Sequence, residues 1–426
     1  MRSYPDLSER YEERLLMKGN KKDIVPVLLG GDIGAYSMAV SFARAYGLTS
    51  HVFARERLAA VDNFEYITRH IVKGLDEPET AVPVLIAFAK EQKGKRLMLI
   101  PCADWYMEML EYARDALDGH FYFFIPEFEI WRVTSDKSSF SEMLSRYGIS
   151  HPKTVVIDSS MKDIEKRFLS LKPPFVLKAA DSSEYWRHPF SGMEKVFFLP
   201  SADGIKRIAE KIFSSGYSGK LVAQERIGFG KRANSAVLTV FLDGDSRAVR
   251  AVLGDVLLEE SAPTARGNYS AIVTRELDKI CYKIIGMLEK IGYTGVANID
   301  IIYDERCSYC LELNPRQGRS FDYIRSAGVE LAELFVMVMD GEKIDKNLEY
   351  KCGLWHSVSK RTVKKYSPDK ALRSRAIGMI KSGFSVSLYD YKKGRGIKNR
   401  LYEHIHKSRL AGRYSRMKDE VENASS

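Results

Sequence analysis

The sequence predicts an α/β protein of more than one unit, and three observations carry that reading. Its 426 residues exceed one typical domain. From residue 23 to the helix that begins at Asp104 the chain alternates apolar strand, turn and helix, the pattern of a parallel sheet with helices packed on it. Residues 295–320, GVANIDIIYDERCSYCLELNPRQGRS, read as two strands around a short polar turn, a β-hairpin rather than another crossover. Hydrophobic residues at 45% and charged ones at 29% suit a globular enzyme, and no apolar run is long enough to span a bilayer.

Residues 1–22 form a charged lead-in without an apolar signal core, so secretion is not expected. Residues 23–29 are an apolar strand. Gly30-Gly31-Asp32-Ile33-Gly34 turns into a helix over 35–46 that stops at Gly47, which makes a βα unit. Strands at 50–54 and 96–101 and a helix from Asp104 continue the alternation. The glycine turn lacks the full G-x-G-x-x-G spacing and no acid ends the next strand, so packing explains it better than nucleotide binding.

Residues 130–157 change character. Asp136-Lys137 opens a helix to Tyr147, followed by Gly148 and a strand at 154–157. After Pro173-Pro174 comes FVLKAADSSEYW. Its Lys178 lies among apolar strand neighbours, so it either needs an anionic partner or snorkels to solvent. Residues 181–192 read as a loop carrying Ser182 and Ser183 but only one glycine, poor material for cradling phosphate. No G-x-x-x-x-G-K-[ST] occurs, so P-loop chemistry is unsupported. An amphipathic helix at 201–215 ends at Gly216, and a strand, LVAQERI, covers 221–227. Residues 236–253 read as a hairpin around Gly244, and 275–291 as a helix.

The hairpin holds the densest chemistry. Side chains alternate along a strand, so Asp300 shares a face with Asn298, and Glu312 with Asn314. If the hairpin is symmetric about Arg306, Asp300 stands opposite Glu312. Two like charges side by side need a cation between them. An all-oxygen set of Asp300, Glu312 and Asn314 suits Mg²⁺, which takes its other ligands from water and phosphate. Arg316 and Arg319 follow, and both can hold phosphate or carboxylate oxygens. The bland alternative is a surface hairpin with solvated acids. Cys307 and Cys310 make a lone C-x-x-C with no second zinc-type pair, so that motif reads as incidental. The odd, sparse count of five cysteines argues for reduced thiols in a cytosol.

The net charge of +10 is uneven. Residues 351–426 hold 19 Lys/Arg against 6 Asp/Glu, so the rest of the chain is slightly acidic. That basic segment can meet an anionic precursor or surface, or be a solvated face. No nucleic-acid partner is expected. Its apolar Leu401, Ile405 and Leu410 leave open a third reading, in which it packs on the catalytic lobe.

NIDIIYD…LELNPRQGRS resembles the metal-binding end of ATP-grasp ligases, and the NPRQGRS version is closest to carboxylate–amine ligases similar to D-aspartate ligase of peptidoglycan synthesis. VLLGGDIGAYSMAVSFARAYG and LIPCADWYMEML resemble the N-terminal domain of that group. The resemblance covers residues 23–339 well and the C-terminal segment only loosely. It implies an ATP-grasp fold of two α+β lobes clasping ATP, preceded by a parallel-sheet α/β domain. The divisions expected are 23–130 for the N-terminal domain, 131–227 for the small lobe and hinge, 228–350 for the large lobe, and 351–426 for the basic segment.

The resemblance also implies roles. Lys137 and Lys178 serve the nucleotide, Ser182 and Ser183 lie in the loop over its phosphates, and Gln224, Glu225 and Ile227 form the hinge beside adenine. Asp300, Glu312 and Asn314 hold Mg²⁺, Arg316 and Arg319 act in catalysis, and Arg266 and Asn268 touch substrate. The hinge departs from the group at Gly228-Phe229-Gly230-Lys231-Arg232, where an acid for the ribose is missing. The implied reaction is ATP-dependent amide formation between a small amino-acid donor such as D-aspartate and an amine acceptor, the side chain of a peptidoglycan precursor. A ligase for another amino acid or peptide, or a non-catalytic nucleotide-binding protein working through its basic tail, are the alternatives.

Overall fold

The computed structural model describes residues 21–160, 171–228, 234–260, 267–304, 307–349 and 351–424. The lead-in before Lys21, the residues of the departing hinge beyond Gly228, and Arg266 lie outside the described residues.

The chain divides into two units. The first runs to Phe124 and takes in Glu330–Lys343 and Tyr389–Glu403. Its strands are β1 (Ile24–Leu29), β2 (Ser50–Ala54), β3 (Ile67–Ile71) and β4 (Arg96–Pro101), ordered β3-β2-β1-β4 and parallel throughout. The uniformly buried IVPVLL of β1 is what a strand covered on both faces requires. β3 and the helix Pro78–Glu91 lie in a stretch where the sequence suggested no element. The glycine turn serves packing. A Cβ on Gly30 would stand 3.0 Å from that of Cys102, and Asp32 caps the helix Ile33–Tyr46 by accepting from the amides of Gly34 and Ala35.

The second unit comprises Ile125–Val329, Ile344–Leu388 and His404–Ser426. It holds two sheets. The smaller has four antiparallel strands, β5 (Thr154–Ile157), β6 (Phe175–Ala179), β7 (Phe197–Leu199) and β8 (Leu221–Glu225), in the order β5-β8-β6-β7. The larger contains β9 (Asn234–Leu242), β10 (Ala248–Glu259), β11 (Tyr269–Arg275), β12 (Gly295–Tyr303), β13 (Ser308–Asn314), β14 (Leu354–His356) and β15 (Ser385–Ser387), in the order β13-β12-β9-β10-β11-β14-β15. All its pairs are antiparallel except β14 with β15.

One face of β9, β10, β12 and β13 is sealed by the helix Lys279–Lys290. Leu238, Val240, Ile299, Ile301, Cys310 and Leu313 pack there against Ile280, Ile284 and Leu288. Residues of alternate register, among them Thr239, Asn298 and Asp300, therefore face the other way. That helix begins at Lys279 rather than Arg275, which is the last residue of β11 and pairs with Leu253. In the β9–β10 turn the left-handed residue is Ser246 (φ 58°), not Gly244.

The C-terminal segment is no appendage. β14 and β15 extend the large sheet. Leu354, Val358, Val363, Leu372, Ala376, Met379, Leu410 and Tyr414 are buried in one cluster with Leu257, Leu258, Ala271 and Val273. Of the three apolar residues singled out in its last helix, Leu410 is 2% exposed, whereas Leu401 and Ile405 are 54% and 45% exposed. Of the readings the sequence left open, packing is the one seen here: residues from Leu354 to Met379, with Leu410 and Tyr414, complete the core around Leu257 and Val273.

Candidate active site

The site begins with the β12–β13 hairpin. Asp300 pairs with Glu312 and Asn298 with Asn314, as symmetry about Arg306 predicts, but the route differs. Nearer the turn Ile301 pairs with Cys310 and Ile302 with Tyr309, so Leu311 is an extra residue, a β-bulge. The strands close between Asp304 and Cys307, where the Asp304 amide donates to the Cys307 carbonyl at 3.1 Å. The bulge lets Cys310 and Leu313, three residues apart, both enter the core, and it turns Glu312 onto the face of Asp300.

Lys178, on β6 of the small sheet, reaches across to this pair. Its Nζ donates to Glu312 Oε2 at 3.1 Å, with the two side chains 10% and 21% exposed. The anionic partner that a buried lysine requires is thus Glu312. On the large sheet the Tyr269 hydroxyl donates to Asp300 Oδ1 at 2.8 Å, and Thr239 Oγ1 to Asn298 Oδ1 at 3.0 Å. Burial, then the charge of Glu312, push the Asp300 pKa up, while the hydrogen bond from Tyr269 opposes them. Burial also acts to raise Glu312, but Lys178, Lys137 and Lys195 outweigh it and hold this carboxylate well below its ordinary range. The two acids are driven apart by their surroundings. Paired carboxylate oxygens beside an amide oxygen are donors a hard divalent cation fits, so Asp300, Glu312 and Asn314 suit Mg²⁺.

Lys137, the first residue of the helix Lys137–Arg146 capped by Asp136, donates to the Ala180 carbonyl and to Ser182 Oγ, both at 3.1 Å. Residues 181–192 are not simply a loop. Ser182–Arg187 is a short helix, capped by Asp181 accepting from the Glu184 amide at 3.0 Å. Ser183 lies in it beside Ser182.

Gln224 is buried and its amide donates to Thr154 Oγ1 at 3.0 Å, while the Glu225 carboxylate accepts from the Lys172 amide at 3.0 Å. Ile227 falls past the end of β8, which stops at Glu225. Glu225 and Ile227 do line a cavity of about 390 Å³ with His151, Lys153 and Tyr309, a size within the range of small-molecule sites. Tyr309 stands three residues before Glu312, so the cavity adjoins the turn end of the hairpin. Arg316 Nη1 donates to the Gln317 carbonyl at 3.1 Å. The Asn268 carbonyl accepts from the Glu260 amide at 2.8 Å.

Two residues of this site escaped the sequence reading. Tyr269 opens β11, and nothing in its neighbours pointed to a carboxylate partner. Lys195 acts electrostatically on both Asp300 and Glu312, and a Cβ on Gly267 (φ 83°) would stand 3.1 Å from its Nζ. It lies in an irregular stretch before β7, where no periodicity marks it.

Two antiparallel sheets, with a lysine of one turned toward paired carboxylates on the other, define the ATP-grasp class. The fold has solved counterparts. One is the biotin carboxylase domain of the 2-oxoglutarate carboxylase of Hydrogenobacter thermophilus, in complex with MgADP, with TM-score 0.57, 15% identity, and 77% of this chain and 73% of that one covered. Another is the ADP complex of purK, N5-carboxyaminoimidazole ribonucleotide synthetase, with TM-score 0.56, 12% identity, and coverage of 78% and 81%. No family model matches the chain. In sequence it is 31% identical over 397 residues to the D-aspartate ligase of Enterococcus faecium (strain Aus0004), covering 89% of this chain and 93% of that one. It is also 26% identical over 245 residues to the carbamoyl phosphate synthase large chain of Caldanaerobacter subterraneus, of which that match covers 21%. The chain belongs to the D-aspartate ligase group of the ATP-grasp carboxylate–amine ligases, enzymes that work with ATP and Mg²⁺.

Proposed function

We propose that the protein activates a carboxylate of a small amino acid such as D-aspartate and joins it to an amine, with the side-chain amine of a peptidoglycan precursor as the natural acceptor. The observation that carries this reading is the opposed Asp300–Glu312 pair with Lys178 closing on it. A donor carboxylate oxygen attacks the γ-phosphorus of ATP, the bond to the bridging oxygen breaks, and ADP leaves. The acyl phosphate is then attacked at carbon by the amine, which loses a proton as phosphate departs. No protein nucleophile is required, so the side chains position groups and balance charge.

Asp300, Glu312 and Asn314 hold Mg²⁺, which neutralises phosphate oxygens when bound. Lys178 and Lys137, which donate to Glu312 and Ser182, serve the nucleotide phosphates in this reading. Lys195 adds a third positive charge. Arg316 balances the transferred phosphoryl group. Gln224, Glu225 and Ile227 flank the adenine end, beside the cavity. The work is assigned to the cytoplasm, in keeping with the sparse, unpaired cysteines; among the described residues no helix is long and apolar enough to cross a membrane.

The test is amine- and Mg²⁺-dependent ADP release across a panel of amino-acid donors, with Glu312→Gln alongside. The variant is expected to lose turnover while still unfolding cooperatively, at a lower melting temperature, since it also deprives Lys178 of its buried partner. Near-normal turnover of Glu312→Gln at saturating Mg²⁺ contradicts the site, and ADP release by no donor at all favours a nucleotide-binding protein without ligase activity.

A further inference from the structure

The last helix, Ile397–Ala424, is fixed to the protein along one side. Asn399, Leu410 and Tyr414 are buried there, and Glu403 pairs with Arg395 at 2.8 Å. A helix held in this way ordinarily turns polar residues to solvent. This one turns out aliphatic side chains. Ile397, Leu401 and Ile405 stand four residues apart, hence on one face, and are 84%, 54% and 45% exposed. Ser408 and Gly412 continue that stripe, are exposed as well, and add no charge to it.

The charge lies beside the stripe. At 3.6 residues per turn, Lys398, Arg409 and Arg416 run along one of its sides and Arg400 and His404 along the other, all of them exposed. Residues 392–417 hold nine Lys/Arg against a single acid, Glu403, whose carboxylate is spent on the buried Arg395. An outward apolar stripe between two rows of cations is the pattern of a helix that lies in a membrane interface.

Charge and apolar surface together choose the occupant. A second copy of the same face would set these cations against their like, which disfavours pairing. Nucleic acid satisfies the cations through its phosphates but offers the aliphatic side chains nothing. A bilayer with anionic headgroups satisfies both, because aliphatic side chains enter the acyl boundary while Lys and Arg stems carry their charges up to the lipid phosphates.

We propose that the outward face of this helix lies in the plane of an anionic membrane surface, with Ile397, Leu401 and Ile405 in the acyl boundary and Lys398, Arg400, Arg409 and Arg416 on lipid phosphates. The attachment is peripheral, since among the described residues no helix is long and apolar enough to cross a membrane. It uses no residue of the carboxylate site and does not rest on the ligase reading. The same helix thus serves two surfaces: Leu410 and Tyr414 complete the core, and the opposite face meets lipid.

The experiment sediments the full-length protein with vesicles of phosphatidylcholine alone, or of phosphatidylcholine mixed with phosphatidylglycerol, at low and at physiological salt. Binding is expected to the mixed vesicles and to weaken as salt rises. Leu401→Gln combined with Ile405→Gln should weaken it by on the order of ten- to a hundredfold. Lys398→Gln combined with Arg409→Gln should weaken it by on the order of thirtyfold. All four side chains are exposed, so the melting temperature should stay that of the wild type. Leu401→Trp keeps the apolar surface, and its added fluorescence should shift to shorter wavelength on the mixed vesicles only. Absence of binding to mixed vesicles overturns the proposal. So does binding that the Leu401 and Ile405 changes leave intact, which is adsorption by charge alone. A vesicle-independent dimer that those two changes dissolve also overturns it, in favour of a second copy.

Discussion

Tyr269→Phe is the sharpest probe of the metal site, because it deletes one oxygen atom. The hydroxyl donates to Asp300 Oδ1 at 2.8 Å, and burial keeps the phenol protonated by raising its pKa well above the ordinary value. Without it, the remaining influences of burial and Glu312 push the Asp300 pKa higher still, so protons compete better with the metal. Groups that hydrogen-bond a metal ligand are typically worth about 10–100-fold in metal affinity, or about 1.4–2.7 kcal/mol, in the range for a hydrogen bond to a charged group. The assay is ADP release against free Mg²⁺ at saturating MgATP, repeated at several pH values. The half-saturating Mg²⁺ concentration should rise by that factor at neutral pH. The gap should narrow as pH rises, since a carboxylate that is already ionised depends less on the donor. An unchanged half-saturation refutes the reasoning, as does a defect that is constant with pH and tracks a lower melting temperature.

Three further outcomes are expected. A chain cut before Lys351 should be insoluble or unfolded, because it strips eight buried apolar side chains, each worth on the order of 2 kcal/mol, from the cluster around Leu257 and Val273; a soluble, two-state-folding truncation contradicts this. Lys178→Met leaves Glu312 without its buried partner, so the Mg²⁺-free protein should lose on the order of 3 kcal/mol in urea unfolding, and ATP affinity by calorimetry should drop with it; unchanged values for both count against the pairing. His51, stacked on His70 and tilted against Phe88 in the first unit, has its pKa lowered to about 4 by burial and then by His70. The unfolded state therefore binds the proton first, and stability should fall as pH drops from about 6.5 toward 4, with a slope of up to about 1.4 kcal/mol per unit. His51→Phe should flatten that part of the melting-temperature profile.

What was legible in the sequence follows the range of the physics involved. The parallel order of β1, β2 and β4 was readable because strand and helix periods are local, and so was the cap of the helix at Lys137, since an Asp before a helical run is a local signal. The helix at Ser182–Arg187 was missed although Asp181 and Glu184 have capping-box spacing, because the family pattern suggested a loop there. The C-terminal segment's charge left its place undecided between packing, recruitment and a solvated face. Surface charge says where solvent is, whereas the buried Leu354, Leu372, Leu410 and Tyr414 decide where the chain packs, and they are spread over some sixty residues. Lys195 comes to the carboxylates from outside the large sheet, and Tyr269 across three strand pairings within it, neither of which a local window contains.

The pairing of Asp300 with Glu312 shows how a correct expectation can rest on an incomplete reason. Alternation along each strand makes the two acids available for one face, but not for each other, since a slip of one residue sends Glu312 to the core side. With the strands closing between Asp304 and Cys307, an unbroken ladder would set Asp300 against Leu311. The extra residue corrects that. Its cause is visible at Cys310, whose amide donates to the Ser150 carbonyl at 2.8 Å, a partner 160 residues earlier in the chain. A backbone donor captured from outside the hairpin accounts for a break in the ladder at that point, and the break turns the second carboxylate toward the first. The geometry that suits this hairpin to Mg²⁺ is thus set in part by the strand connection at Ser150, through a contact that hairpin symmetry could not supply.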